Sequence, residues 1–383
     1  MLAVAVRELH QIVEAFESVC GGENVAALAT VAAVEGSGYR RAGARMLVAA
    51  DGRVWGSISG GCLDKDVARR ARIVIDTGLP DLCCYETAND SGEDFADPGA
   101  SLGCGGRIDL LIEPVSRQSP GVLMALANLL RMRRPISVAT VIRIEPAQSP
   151  GPVQRLIQMD GREPEGEIGD SALRAAIVQD LAEPTSGARL VRHRTFAGEW
   201  ADVLIERISP PQSMVIFGDG RDAEPLAGMA HLLGWHVTAV VRRQPSFRAD
   251  AICFATDDDP LGGLAPLGPE TAVVVMDHDF RRDSAVLGKL KDHPPKYIGI
   301  LGPRHRTRRL LAAAEIDPTL RQFARRLFWP IGLDLGAQTP EQIALAIVAE
   351  IQAVFAERSG GHLRDRGGPI HDFDRSRREI SRL

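Results

Sequence analysis

Cysteine, aromatic residues and net charge are all scarce in this chain of 383 residues. Its six cysteines include no Cys-x-x-Cys pair, which argues against a disulfide framework and a structural zinc site. Aromatic residues make up only 5% of the chain, too few for a series of base-stacking platforms. A formal net charge of −5 argues against general binding of nucleic acid or of an anionic membrane. We therefore expect no nucleic-acid partner, no membrane partner and no metal-ligating set of side chains.

Long apolar runs are missing as well. No stretch of 18 consecutive apolar residues occurs, and residues 1–7 lack the apolar core and cleavage site of a signal peptide. We therefore expect a cytoplasmic protein. The length exceeds what one hydrophobic core usually serves, so more than one domain is expected.

The first part of the sequence, assigned to residues 1–208, predicts a mixed α+β domain. Apolar residues at helical spacing predict a helix over Val6–Phe16 and another that begins after Cys62. Short helices are expected within 118–134 and 172–181. Apolar runs bounded by turn residues predict strands at 25–34, 44–50, 54–55, 82–86 and 107–113, the last ended by Pro114. From about residue 136 to 208, extended segments alternate with turn signals, which predicts an antiparallel layer that closes this domain.

Ser209-Pro210-Pro211 is the clearest linker, and the pattern beyond it becomes alternating strand and helix. Strands are predicted at 213–217, 236–241, 251–254, 273–276 and 297–301, and helices at 223–233, 284–291, 304–314, 318–327 and 341–355. This alternation predicts a Rossmann-like doubly wound parallel sheet domain over residues 212–357, so the fold class is α/β. Residues 358–383 are rich in glycine, arginine and aspartate and are expected to form a flexible tail.

The second domain opens with a glycine fingerprint, Gly218-Asp219-Gly220-Arg221-Asp222-Ala223, between a predicted strand and a predicted helix. This is the GxGxxA form in its required βαβ context, so Gly218, Gly220 and Arg221 are candidate nucleotide-binding residues. Arg242 follows the second strand, where NAD-binding sheets carry an acid, and an arginine there favours NADP or another anionic ligand over NAD. Solvated surface arginines explain the Arg242-Arg243 pair equally well.

Two further patterns in this domain leave alternatives open. The segment Gly302–Arg309 follows a buried strand and begins a helix, so Arg304 is a candidate phosphate contact. A solvated helix face is the simpler interpretation of the same arginines. His278 stands between two aspartates just past a strand end and is either a proton carrier or a hydrogen-bonded loop residue.

The most unusual composition lies in residues 36–62 and 103–106, where glycines, serines, arginines and a cysteine replace bulky side chains. Cys62 lies at a turn into a helix, whose N-terminus stabilises a thiolate, and Gly60-Gly61 could present amides to an anion. Cys104 has only small neighbours in Gly103-Cys104-Gly105-Gly106. Either cysteine could instead be buried and inert. Core positions are expected for Cys20, Cys83, Cys84 and Cys253.

These segments resemble the XdhC/CoxI family, the accessory factors of xanthine dehydrogenase and related molybdenum hydroxylases. The resemblance rests in the first domain on Gly36-Ser37, Arg40 to Val48, Gly56 to Asp64 and Gly103 to Arg107. In the second domain it rests on Tyr297 to Gly302, Pro330 to Ala337 and Thr339 to Glu341. The GSISGGC and GCGG stretches are far more specific than the Rossmann fingerprint.

The resemblance implies an accessory protein rather than an enzyme. Members of the family bind molybdenum cofactor, shelter it while a cysteine desulfurase supplies sulfur, and deliver it to a molybdenum hydroxylase apoenzyme. A molybdopterin offers a phosphate, a polar pterin and a soft dithiolene–metal centre, which suit arginines, backbone amides and a thiolate. On this basis the anionic groups are assigned to Arg40, Arg41 and Arg45, and molybdenum or sulfur to the candidate reactive residues Cys62 or Cys104. The polar contacts are assigned to Ser57, Ser59, Gly60 and Gly61, with Gly103, Gly105 and Gly106 completing the site.

The chain also departs from the family pattern. Gly38-Tyr39 stands where the family often has Ser-Pro, Arg221 where it often has histidine, and Arg242 where it often has an acid, which leaves the ligand of the second domain open. An alternative function is an NAD(P)-dependent oxidoreductase, although no recognisable acid–base set accompanies the fingerprint. A third is a purely structural partner of a dehydrogenase. The client enzyme, the form of the cofactor and homodimer formation stay open.

Overall fold

A computed structural model of the protein describes residues 6–21, 24–36, 40–61, 63–86, 106–146, 152–159, 162–183, 187–265, 267–293, 295–319, 323 and 325–367. The chain divides into two compact units, Met1–Pro211 and Gln212–Leu383. Each unit has its own sheets and its own buried apolar clusters.

The first sheet of unit 1 is antiparallel, with the order β3-β2-β1-β5-β4. Its strands are β1 (Ala26–Gly36), β2 (Arg45–Ala49), β3 (Val54–Gly56), β4 (Asp81–Glu86) and β5 (Gly106–Val115). Helix α2 (Asp64–Thr77) packs on one face, and α1 (Val6–Val19) and α3 (Leu123–Met132) cover the other. The alternation of side chains along β1 follows from this arrangement, since Ala27 and Ala29 face α2 while Ala26 and Leu28 face α1 and α3.

The second sheet of unit 1 is the predicted antiparallel layer, with the order β8-β7-β6-β10-β9. Its strands are β6 (Ile136–Glu145), β7 (Arg155–Met159), β8 (Glu165–Glu167), β9 (Gly187–Arg194) and β10 (Trp200–Ile208). Helix α4 (Ser171–Ala182) packs on it through Leu173, Ile177 and Leu181. Ile136, Val138 and Ile208 join the apolar cluster of α1 and α3, so the two sheets share one core.

Unit 2 is built on a six-stranded parallel sheet with the order β13-β12-β11-β14-β15-β16. The strands are β11 (Ser213–Phe217), β12 (His236–Val241), β13 (Ala251–Phe254), β14 (Thr271–Val275), β15 (Tyr297–Ile300) and β16 (Leu327–Phe328). Helices α5 (Ala223–Leu232) and α8 (Pro340–Phe355) pack on one face, and α6 (Phe280–Leu290) and α7 (Arg304–Ala313) on the other. The chain winds to one side from β11 and to the other from β14, so the topological switch point lies between these two strands. The predicted fold class, a mixed α+β part followed by a doubly wound parallel sheet, is confirmed.

A few local expectations are wrong. Pro114 does not end β5, because it pairs with Ala27 inside the strand, beyond Ile112, the last residue of β5 that pairs with β4. A proline is tolerated in a strand at a position where a neighbouring strand has ended. The helix expected over 318–327 lies partly outside the described residues, and at its end Leu327 belongs to β16 instead.

The expected tail lies partly within the described residues. Leu363–Asp365 forms a short 3₁₀ helix, and residues 368–383 lie outside the described part of the chain. None of the helices in the described ranges is both long and apolar enough to span a bilayer.

Candidate functional site

Three segments with the predicted ligand-binding composition leave the first sheet from the same end. The connection 37–44 joins β1 to β2, the turn 57–62 follows β3, and the connection 87–105 joins β4 to β5. Neighbouring strands of this sheet run antiparallel, so the strand ends that carry these segments lie on one edge. Gly36 of β1 pairs with Gly106 of β5. The connection that follows Gly36 and the GCGG segment that ends at Gly106 therefore meet the sheet at neighbouring positions. The structure describes 40–44, 57–61 and Gly106 of this set, while Cys62, Gly103, Cys104 and Gly105 lie outside the described residues.

The turn before α2 is held by its own hydroxyl groups. The Ser59 hydroxyl donates to Asp64 Oδ1 at 2.7 Å and accepts the Leu63 amide at 2.8 Å. Ser57 Oγ accepts the Gly60 amide at 3.0 Å. Ser59 is buried, so its hydroxyl orders the turn, and this position does not favour the predicted contact of Ser59 with a ligand. Ser57 is half-buried and stays a candidate.

Gly60 and Gly61 form the exposed tip of this turn. Both have left-handed backbone conformations, with φ of 75° and 114°. No heavy atom of the described chain lies within 4 Å of the position where a Cβ on Gly61 would be, so open space adjoins the backbone there. The tip is followed by α2, whose N-terminus has no side-chain cap at Leu63. The first turn of α2 carries Asp64 and Asp66, which compete with an anionic group, so the exposed backbone of the tip is better suited to polar, uncharged groups.

The three predicted arginines have different environments. Arg40 is half-buried and forms an ion pair with Glu8 of α1. Arg41 is half-exposed, and no carboxylate of the described residues lies within ion-pair distance of it. Arg45 is buried, and its guanidinium donates to Glu206 of β10 at 2.7 Å and to the Gly43 carbonyl at 2.9 Å. This burial does not favour the predicted contact of Arg45 with a ligand anion. Arg40 and Arg41 are both partly exposed, but Arg40 is paired with Glu8, so Arg41 is the best placed of the three cations to meet a ligand.

In unit 2 the fingerprint has the expected backbone geometry. Gly218 follows β11 with a φ of 142°, and a Cβ there would lie 2.8 Å from the Met276 carbonyl oxygen at the end of β14. Only glycine permits such a close approach between the two strands at the switch point. Arg221 is exposed, and Arg304 is exposed at the start of α7.

The side chains around this switch point are mainly acidic. His278 Nε2 lies 2.8 Å from Asp222 Oδ2, so His278 has the hydrogen-bond partner that the loop interpretation expects. Burial raises the pKa of Asp277, an effect that Arg282 opposes and that Asp283 and Asp219 reinforce. Burial likewise raises the pKa of Asp283 against the effect of Arg306, which donates to it at 2.6 Å.

Arg242, the predicted anion contact after β12, forms an ion pair with Asp257. A pyrophosphate at the N-terminus of α5 would therefore meet the carboxylates of Asp219, Asp222 and Glu224, while Arg221 and Arg243 remain exposed nearby in sequence. The three carboxylates make this site a less favourable one for a dinucleotide than the usual fingerprint. Within the described ranges, no three His, Cys, Asp or Glu side chains are arranged to hold a metal ion.

Sequence reasoning missed Glu206 and Asp64, the two carboxylates that fix the site segments. Asp64 was visible only as an acid in the first turn of a helix, and its contact with Ser59 could have been suspected from their spacing of five residues. Glu206 lies 161 residues from Arg45, and the sole signal was a charged residue inside an apolar strand.

Comparison with known proteins identifies the class. A family model described as the XdhC Rossmann domain matches residues 214–351, and one described as the XdhC and CoxI family matches residues 22–86. The chain belongs to the XdhC/CoxI family.

Individual relatives extend over most of the chain. A Bacillus subtilis (strain 168) protein, described as a probable subunit of xanthine dehydrogenase, is 30% identical over 333 residues, 85% of this chain and 92% of the relative. The molybdenum cofactor insertion chaperone PaoD of Escherichia coli (strain K12) is 25% identical over 341 residues, 89% of this chain and 86% of that relative. A crystal structure from Bacillus halodurans, described as that of a xanthine dehydrogenase, aligns with a TM-score of 0.70 and 29% identity over 91% of this chain and 96% of that one.

Proposed function

We propose that this protein is a maturation factor that binds molybdenum cofactor, supports its sulfuration and delivers it to a xanthine dehydrogenase-type apoenzyme. The observation that carries the proposal is the likeness, over 89% of this chain, to a relative named as a molybdenum cofactor insertion chaperone. The cofactor is cargo here, so the chain needs a surface that holds it reversibly and leaves it accessible to two partners.

The common edge of the first sheet supports this role. Arg41 offers a half-exposed cation for the phosphate of a molybdopterin. Gly60 and Gly61 offer exposed backbone, with open space beside Gly61, where polar pterin edges could approach. Cys62 follows this tip directly in sequence, and Cys104 lies two residues before Gly106, which pairs with Gly36. We propose these two thiols as the contacts of molybdenum or of the transferred sulfur, with a cysteine desulfurase as the sulfur-supplying partner.

A dehydrogenase acting alone is the second candidate, since the strand order and the close approach at Gly218 suit a nucleotide. Against it stand the carboxylates at the N-terminus of α5 and the ion pair that engages Arg242. These make the pyrophosphate position electrostatically unfavourable, so the accessory role has the stronger support.

The direct test is to mix the purified protein with molybdenum cofactor, separate bound from free cofactor by gel filtration, and measure the fluorescence of the oxidised pterin. The parent protein is expected to retain pterin. Arg41→Ala is expected to weaken retention about tenfold, because it removes one charge-assisted hydrogen bond to the phosphate. Arg53→Ala is the matched control, because Arg53 is an exposed arginine in the β2–β3 turn at the opposite end of the same sheet.

Three outcomes would contradict the proposal or part of it. Absence of pterin from the parent protein would overturn the binding role. If Cys62→Ala and Cys104→Ala both retain pterin as well as the parent, the thiol assignment is wrong. Oxidation of NADH or NADPH with a candidate substrate, in the absence of any molybdenum enzyme, would favour the dehydrogenase instead.

A further inference from the structure

We propose that Glu206 is a positioning residue for the basic loop, defined here as residues 40–44. This inference rests on the proposed function, because it takes Arg41 on that loop as a ligand contact. Glu206 belongs to β10, in the second sheet of unit 1, and is far in sequence from every segment of predicted ligand-binding composition. It acts on the loop through Arg45.

Glu206 and Arg45 form a fully buried connection between the two sheets. Their side chains are only 4% and 3% exposed, and Arg45 Nη2 donates to Glu206 Oε2 at 2.7 Å. The other terminal nitrogen of the same guanidinium, Nη1, donates to the Gly43 carbonyl at 2.9 Å. One rigid planar group therefore ties the loop backbone to a carboxylate of the second sheet.

The loop also packs directly against Glu206. Gly43 has a φ of 87°, and a Cβ on it would lie 2.7 Å from Glu206 Oε1 and 3.6 Å from Ala188 Cβ of β9. Its amide donates to the Val31 carbonyl at 2.8 Å. The Glu206 carboxylate thus packs against one side of Gly43, and the hydrogen bond to β1 holds the loop on the other side. The glycine is required because no side chain fits between the loop and Glu206.

These contacts determine where Arg41 can lie. Arg41 is two residues before Gly43, whose carbonyl oxygen accepts from Arg45. The Ala44 amide donates to the Arg41 carbonyl at 3.1 Å, and this bond closes the turn that links Arg41 to Gly43. Without the contact from Arg45 the loop is held by β1 alone and becomes more mobile, so the Arg41 side chain spends less time in the position that meets the anion. The expected consequence is weaker cofactor binding without loss of any group that touches the cofactor.

Two substitutions separate the parts of this connection. Glu206→Gln preserves shape but removes the charge that orients the guanidinium. Arg45→Lys keeps a cation beside Glu206, but a single nitrogen on a flexible stem does not reproduce the planar two-nitrogen bridge to Gly43. The matched control is Glu113→Gln, since Glu113 forms the other buried ion pair between the two sheets, with Arg155 at 2.6 Å, and does not touch the basic loop.

The experiment measures two quantities on the full chain for the parent and each variant. The first is the affinity for molybdenum cofactor, and the second is hydrogen–deuterium exchange at the amides of Gly43 and Val31. Glu206→Gln and Arg45→Lys are expected to weaken affinity roughly tenfold and to accelerate exchange at these amides. Glu113→Gln is expected to change neither. In the Arg41→Ala background, Glu206→Gln is expected to lower affinity by less than about twofold, because both changes act through one contact.

The outcomes are distinguishable. If the parent retains cofactor and both test variants retain it equally well, or if the Glu206→Gln effect persists undiminished in the Arg41→Ala background, the positioning role is overturned. If the parent binds no cofactor, the proposed function fails, and exchange at Gly43 alone decides whether Glu206 holds the loop. Should Glu206→Gln fail to fold, the comparison of Arg45→Lys with Glu113→Gln decides the question.

Discussion

The chemistry available to a cysteine in this protein depends on the face of the strand that carries it. Cys83 and Cys84 are neighbours on β4, and successive side chains of a strand point to opposite faces. Cys83 packs against α2 in the core, whereas Cys84 is exposed. The expectation that both are core residues is therefore right for Cys83 and wrong for Cys84, because a short apolar run does not reveal which face is covered.

Exposure does not make Cys84 reactive. Partial burial and a hydrogen bond with Asp109 raise its pKa to about 11. A thiol reacts as the thiolate, which at pH 7 is then roughly one molecule in ten thousand. We expect alkylation of Cys84 by iodoacetamide to be slow at pH 7 and to rise about tenfold per pH unit up to pH 10.

Peptide mass spectrometry after timed alkylation checks this expectation. Asp109→Asn, which removes the neighbouring negative charge, should lower the pH at which Cys84 reacts. A reaction midpoint for Cys84 below about pH 9 in the parent protein would contradict the stated cause. The same data report on Cys62 and Cys104, which the proposed function requires to be more reactive than Cys84.

At the scale of one element, the N-terminus of helix α8 is stabilised by a capping box. Thr339 accepts the Gln342 amide, and the Gln342 side chain accepts the Thr339 amide, so both partners of a capping box are present. Pro340 follows at the first helical position, where its missing N–H costs nothing. The order Thr339-Pro340-Glu341 is a typical sequence signal for the start of a helix.

We expect Thr339→Ala to lower the free energy of unfolding of unit 2 by about 1 kcal/mol, because the Gln342 amide loses the hydroxyl that accepts it. Gln352→Ala is the matched control, since Gln352 is exposed in the interior of the same helix, where alanine is at least as favourable. Urea denaturation, with hydrogen exchange identifying the transition of unit 2, measures both. Equal effects of the two substitutions would contradict the capping argument.

Elements were predictable where one physical signal dominated. The strands β11, β12 and β13 were predicted at their observed bounds, because each contains a short apolar run, although only β11 and β12 are buried and β13 lies at the edge of the sheet. β8 is Glu165-Gly166-Glu167, fully exposed and polar, and β16 has two residues, so neither carries a pattern of its own. Both exist only because a neighbouring strand offers an edge to pair with.

At the scale of the whole molecule, the described residues of unit 1 include two largely buried ion pairs that join its two sheets. The first sheet supplies the cation Arg45 and the anion Glu113, and the second supplies their partners Glu206 and Arg155. A wrong alignment of the sheets would leave buried charges unpaired, which is far more costly than a loss of apolar contact. The pairs therefore specify how the sheets align.

We expect Glu113→Ala to lower the free energy of unfolding of unit 1 by about 3 kcal/mol, because it leaves the partly buried guanidinium of Arg155 without its carboxylate partner. The double replacement Glu113→Leu with Arg155→Met is expected to recover most of this loss, since it removes both charges and refills the space. Equilibrium denaturation of the two variants and the parent checks the expectation. A double variant less stable than Glu113→Ala would contradict it.

Such pairs also mark the limit of prediction from sequence. Arg45 and Glu206 are 161 residues apart, and Glu113 and Arg155 are 42 apart. Hydrophobic periodicity locates elements but carries no information about which charges meet across a core. The composition of the candidate site was therefore predictable, and the burial of Arg45 and Ser59 within it was not.

The link between Arg45 and Glu206 has a consequence for the protein during its synthesis. A nascent chain emerges N-terminus first, so the basic loop leaves the ribosome long before β10 exists to hold it. Until that strand has been made and has paired with β6 and β9, Gly43 has no carboxylate beside it and the loop stays unanchored. A chain interrupted before residue 206 would carry every predicted ligand-binding residue of unit 1 and still lack the carboxylate that we propose positions the basic loop.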